Sequence, residues 1–132
     1  MEISNEIIPV EAYRELRVGS GLSPKSLHAA QIGLKNSLHS VQIIHEGQTI
    51  GIGRIVGDGG CFCQIVDICV LPGFQGRGIG RMIMQDLMKF VDEQLPESCY
   101  ISLLADGDAD KLYSKFGFRD AMPMSKGMFL KK

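Results

Sequence analysis

The chain has 132 residues, with 14 Lys and Arg against 15 Asp and Glu, 45% hydrophobic residues and 22% charged ones. That balance, without a Lys/Arg stripe, argues against a nucleic-acid partner, and no apolar run approaches the ~18 residues of a membrane span. The length fits a single domain over residues 1–132, large enough to bury about two-thirds of the surface its unfolded chain exposes.

The N-terminal run Met1-Glu2-Ile3-Ser4-Asn5-Glu6 is acidic. It lacks the basic start and apolar centre of a signal peptide, so a cytoplasmic location is expected. Residues 11–18 read as a short helix carrying Tyr13, Leu16 and Arg17, and Gly19-Ser20-Gly21 breaks it. Ser23 is the expected N-cap of a second helix, with Pro24 at its first position and Leu27, Ala30, Ile32 and Leu34 along it. Residues 41–44 and 50–56 form an expected hairpin around the turn Glu46-Gly47-Gln48. After a second turn, Asp58-Gly59-Gly60, residues 62–71 read as a long apolar strand stopped by Pro72-Gly73.

Residues 79–95 carry a helical stripe at positions 79, 82, 83, 87, 90 and 91, and Pro96 ends it. Residues 100–105 read as a buried strand. Asp108 is the expected cap of a short helix over 109–116, with Gly117 as its stop, and 128–130 form a last short strand. The order predicts a mixed α/β domain in which strands 62–71 and 100–105 run parallel across the helix between them. Cys61, Cys63, Cys69 and Cys99 form no C-x-x-C pair and show no metal-type spacing with His28, His39 or His45. They read as reduced thiols, three of them in apolar strand-like runs, and no metal site is expected.

Gln75-Gly76-Arg77-Gly78-Ile79-Gly80 places three glycines between an apolar strand and a helix start. Exposed backbone N–H groups and a helix dipole worth about half a positive charge make such a turn an anion cradle. It is not a P-loop, since no Lys-Ser/Thr follows the glycines. A dinucleotide fingerprint has different spacing and needs more chain than remains. The pattern that fits at every fixed position is Gln/Arg-x-x-Gly-x-Gly/Ala. A merely structural tight turn is the bland alternative.

Here the chain resembles the GCN5-related N-acetyltransferases, the GNAT superfamily. Residues 67–80, from Asp67 through Pro72 to Gly80, look like that family's strand–loop–helix core, and Ala109-Asp110-Lys111-Leu112-Tyr113-Ser114-Lys115-Phe116-Gly117-Phe118 looks like its Ala-x-x-Leu-Tyr-x-x-x-Gly-Phe helix end. The resemblance covers residues 10–131 and implies a central mixed sheet with splayed parallel strands flanked by helices. It also implies acetyl-CoA as acyl donor and an amine as acceptor. Carried over by motif, the backbone amides of Gln75, Gly76, Arg77, Gly78, Ile79 and Gly80 hold the pyrophosphate. Arg77 and Arg81 add charge near it, or else are solvated surface residues. The backbone of Cys69 and Val70 faces the pantetheine arm, with the Val70 N–H as donor to the thioester oxygen.

Tyr113 is implied as the acid that protects the departing thiolate; the bland alternative is a core tyrosine. Strand alternation puts Ile65, Asp67 and Cys69 on one face and Val66, Ile68 and Val70 on the other. A carboxylate within such a strand is costly unless paired or open to a cleft. Asp67 is therefore either the base for the incoming ammonium or half of an ion pair with Arg54. Many family members carry Asn where this chain has Asp106, which cannot supply amide donors. Asp106, Asp108 and Asp110 form either an acidic lip for a cationic acceptor or caps and solvated charge. The acceptor site is expected from residues 17–34, with Arg17 and His28 as polar contacts. Met122, Met124 and Met128 read as core or interface filler, with a pocket lining as the other option.

The expected function is transfer of acetyl from acetyl-CoA to a primary amine of a small molecule, by direct attack in a ternary complex. An acetyltransferase of protein lysines or N-termini, and a non-catalytic acyl-CoA-binding sensor, are the alternatives. A homodimer would cover the edge that a strand at 128–130 leaves open.

Overall fold

The computed structural model describes residues 1–132. Five strands form one sheet in chain order: β1 (Glu2–Ser4), β2 (His39–His45), β3 (Gln48–Gly57), β4 (Phe62–Val70) and β5 (Tyr100–Ser102). β1 to β4 are antiparallel to their neighbours, and β5 is parallel to β4. Helices α1 (Val10–Gly19) and α2 (Leu27–Lys35) cover one face, and α3 (Ile79–Gln94) covers the other. α4 (Asp110–Ser114) follows β5. No helix is long and apolar enough to cross a membrane.

The α3 stripe explains its docking. Ile79, Ile83, Met84 and Leu87 are at most 2% exposed and pack with Val41, Ile43, Ile55 and Ile65 of the sheet. The approach is close because β3 presents glycine there. A Cβ on Gly53 would sit 2.7 Å from Ile83 Cγ2 and 3.1 Å from Leu87 Cδ1. The opposite core joins Ile8, Tyr13, Leu16, Ala30 and Leu34 to Ile52 and Cys69.

Several boundaries differ from expectation. The second helix is capped by Ser26, whose hydroxyl accepts from the Ala29 N–H at 3.1 Å. Ser23 cannot cap it, because Arg17 holds the Ser23 carbonyl at 2.9 Å and its hydroxyl at 3.1 Å. Pro24 consequently precedes the helix. Asp108 does not cap α4 either: its side chain is 92% exposed, and Ala109 holds the cap position without a side-chain bond. β1 carries no sequence signal, since three residues are too few for a period.

The strand expected at 128–130 is absent; Met128, Phe129 and Leu130 are 86–93% exposed. β5 itself is only three residues long, so it offers no extended neighbour there. The edge on which the dimer expectation rested is therefore not present. The parallel pair runs from Phe62↔Tyr100 to Gln64↔Ser102 and stops, while β4 continues to Val70. Beyond Gln64 the two chains part and leave a cleft, the splay implied by the resemblance.

The β3–β4 pairing is also interrupted. Arg54 opposes Val66 and Ile52 opposes Cys69, so β4 holds one residue more than β3 over that interval. Asp67 has φ +64°, the left-handed region, which makes this a β-bulge centred on Asp67. The simple alternation expected for β4 fails here. Ile65 faces the α3 core, whereas Asp67 and Cys69 face α1.

Candidate active site

A cavity of about 660 Å3 opens where β4 and β5 part, and it continues across the bulge to the α1–α2 connection. Its two halves have different chemistry. At the β5 end, Val70, Gln75, Leu103, Asp106, Ala109 and Tyr113 line it. At the α1 end the polar lining comes from Tyr13, Arg17, Ser20, Ser23, Lys25 and Arg54.

Leu71 donates its N–H to Ile50 at 2.9 Å, and Val70 opposes Gly51. Antiparallel bonding alternates, so the Val70 peptide edge turns away from β3 and into the cleft. The same alternation turns Cys69 toward Ile52 in β3, so of the two residues Val70 is the one whose N–H is offered to a ligand. The Gln75 side chain donates to the Val70 carbonyl at 3.0 Å, tying the glycine turn to the end of β4.

In that turn Gly76 has φ +78° and Gly78 has φ +81°. Such angles suit glycine and turn successive N–H groups toward one concavity. The first helical bond runs from the Met82 N–H to the Gly78 carbonyl, leaving the amides of residues 76–81 without backbone partners, whereas the Gln75 N–H, expected to join them, donates to the Pro72 carbonyl at 3.3 Å. The third glycine has another purpose: a Cβ on Gly80 would lie 3.3 Å from Leu112 Cδ2, so it lets α3 approach α4. Ile79 is 2% exposed and anchors the turn in the core. The Arg77 guanidinium stacks 5.3 Å from the Phe74 ring centroid. Arg81 is exposed on the first turn of α3.

Tyr113 is 8% exposed; its ring belongs to the α3-side core and its edge lines the cavity. Burial, then the charge of Asp106, push its phenol above the ordinary value of 10.0. The hydroxyl therefore stays protonated at neutral pH and can donate. Of the three aspartates expected as a lip, Asp106 lines the cavity and Asp108 and Asp110 do not.

Asp67 is the centre of the other half. Its side chain is 5% exposed. Oδ1 accepts from Arg17 Nη1 and, at 3.0 Å, from the Tyr13 hydroxyl; Oδ2 accepts from Arg54 Nε at 2.7 Å. The pairing with Arg54 left open by the sequence is present, and Arg17 joins it. Both guanidiniums also approach the Tyr13 ring, at 6.0 and 5.5 Å from its centroid. Both carboxylate oxygens are thus engaged by neighbouring side chains. Burial pushes the Cys69 thiol up to about 11, so it is not a ready nucleophile.

Sequence reasoning placed Arg17 here, and Lys25 falls in the stretch expected to line the acceptor site, but Tyr13 was missed. A signal for it existed: Tyr13 and Arg17 are four apart on α1 and share a face. His28 is exposed and does not line the cavity, nor do Met122, Met124 and Met128.

The acetyltransferase (GNAT) domain family matches residues 36–120. A solved Staphylococcus aureus structure, named a probable acetyltransferase, is 45% identical with a TM-score of 0.95, over 99% of this chain and 98% of that one. An uncharacterized N-acetyltransferase of the alga Pyropia yezoensis is 29% identical over 96% of this chain and 74% of its own length. A soybean (Glycine max) histone acetyltransferase is 33% identical over 86% of this chain and 52% of its own length.

Proposed function

The chain belongs to the GNAT acetyltransferase family, and we propose that it transfers an acetyl group from acetyl-CoA to a primary amine of a small molecule, by direct attack in a ternary complex. The observation that carries this reading is one continuous cavity that runs from a cleft with Val70 and Tyr113 on its walls to a polar pocket under α1. A pocket bounded by the 20–25 connection favours a small acceptor over an extended peptide.

In this reading the free amides from Gly76 to Gly80 take the pyrophosphate, with Arg77 and Arg81 adding charge beside it. The pantetheine arm lies in the cleft between β4 and β5. The acceptor amine gives up its proton to water and attacks the acetyl carbon. The Val70 N–H steadies the tetrahedral oxygen, and as the C–S bond breaks Tyr113 donates its proton or a hydrogen bond to the leaving sulfur. Asp67 fixes the two guanidiniums and Tyr13 that shape the acceptor wall. Its role is positioning, and the proton passes elsewhere.

The test has two readouts. Acetyl-CoA should raise the melting temperature, and thiol release should be seen with members of a primary-amine panel. Stabilisation without thiol release from any amine would leave a coenzyme-binding module and defeat the enzyme reading. Turnover on peptides with none on free amines would defeat the small-molecule reading.

A further inference from the structure

We infer that the acceptor carries an anionic group, a carboxylate or a phosphate, beside its amine, and that Arg54, Arg17 and Lys25 recognise it. This inference rests on the reading of the α1 end of the cavity as the acceptor pocket.

The α1 end of the cavity carries uncompensated charge. Three cations, Arg17, Lys25 and Arg54, line this half of the cavity, and Asp67 is the one carboxylate among them. Asp106, the other carboxylate of the cavity, lies at the opposite end beside Tyr113. The Arg17 and Arg54 side chains are 9% and 11% exposed. A buried charge is costly unless paired, and one carboxylate balances only one of these two guanidiniums. The buried cluster is thus left with an excess positive charge beside a cavity.

Donor geometry agrees. Arg54 uses Nε for Asp67 and Nη1 for the Gly33 carbonyl and the Ser37 hydroxyl. Its Nη2 takes no part in these bonds. The Ser20 hydroxyl, on the same cavity wall, is buried and makes no hydrogen bond of ordinary geometry, although it lies beside the Cys69 thiol. A guanidinium edge, a free hydroxyl and the exposed Lys25 ammonium are together suited to the oxygens of an anion. A dication would meet these three cations with only Asp67, already engaged, to attract it. The structure thus disfavours the cationic acceptor that an acidic lip had suggested.

Matched amines test the inference. Propylamine against β-alanine, and ethanolamine against O-phosphoethanolamine, differ chiefly in the anionic group, and the two pairs separate carboxylate from phosphate. With saturating acetyl-CoA, kcat/KM should favour an anionic member by about tenfold or more, the effect of one charge-assisted hydrogen bond. In Arg54→Gln that ratio should fall toward one. Lys25→Gln, at an exposed position, should reduce it in part and serves if Arg54→Gln does not fold. A parallel thermal shift with CoA bound compares the same amines without requiring chemistry. Equal rates and equal shifts for both members of both pairs overturn the inference and leave the acetyltransferase reading intact. Shifts confined to anionic amines, with no thiol release from any amine, uphold the charge preference and defeat the small-amine reading. No shift and no turnover with either anionic amine at millimolar concentration overturns the inference.

Discussion

Replacing Asp67 with Asn separates an anchoring role from a proton-accepting one. The substitution keeps the shape of the side chain but removes the charge that faces both guanidiniums. Arg17 and Arg54 would remain buried side by side, and one neutral amide oxygen would have to serve three donors, theirs and the Tyr13 hydroxyl. Because the carboxylate is only 5% exposed, solvent screens little of this loss. Breaking a buried pair from one side costs about 3–5 kcal/mol, against a total stability of about 5–15 kcal/mol for a domain of this kind. At roughly 2.1 cal/mol/K of unfolding entropy per residue, 132 residues convert that cost to a fall in melting temperature of about 10–18 °C. Differential scanning calorimetry measures the fall, and steady-state kinetics below the lowered transition measures activity. A fall under about 3 °C, accompanied by collapse of kcat, would refute the anchoring argument and return Asp67 to the position of general base.

Tyr113→Phe removes the phenol at the leaving-group end and should lower kcat by about 10²–10⁴-fold with little change in acetyl-CoA affinity, as read by isothermal titration. The Tyr113 phenol is raised above 10.0, chiefly by burial, so the neutral form is the one the fold favours. Its contribution to stability is complete below the unfolded value and is lost as pH rises through the folded one. The alkaline limb of kcat due to this group should therefore lie above pH 10.0 and vanish in Tyr113→Phe. Gly53→Ala would place a methyl 2.7 Å from the wholly buried Ile83 and should cost about 1–3 kcal/mol, seen as a lowered denaturation midpoint. Gly78→Ala meets no neighbouring atom within 4 Å but is held at φ +81°. It should cost only about 1–2 kcal/mol of stability while weakening acetyl-CoA binding measurably.

The half proposed for the donor was legible because it is written locally. The glycine spacing of 75–80 and the Tyr113 helix each lie in one short stretch, and the strand before the turn is stopped by Pro72 in the sequence itself. The half proposed for the acceptor is assembled from four places, α1, the 20–25 connection, β3 and β4, and local periodicity cannot report that assembly. Ser23 shows why. By composition it is a good N-cap, yet Arg17, six residues earlier, takes both its carbonyl and its hydroxyl, and the helix start moves to Ser26. The last strand failed for a related reason. An apolar triplet such as Met128-Phe129-Leu130 becomes a strand only beside a partner, and β5 ends at Ser102.

The bulge at Asp67 connects these two halves. Without the extra residue, Asp67 would keep step with Ile65 and enter the apolar α3 core, where no cation waits for it. With it, the carboxylate turns to Arg17, Arg54 and Tyr13, while the strand beyond regains its register at Cys69 and offers the Val70 N–H to the cleft. A left-handed aspartate is costly, and its ion pairs with two cations offset that cost. The same residue therefore holds the wall proposed for the acceptor and sets the register of the strand proposed to face the donor. Variants at Asp67 should accordingly disturb both substrates, and a change confined to the acceptor would mean that the strand holds its register without the pairs.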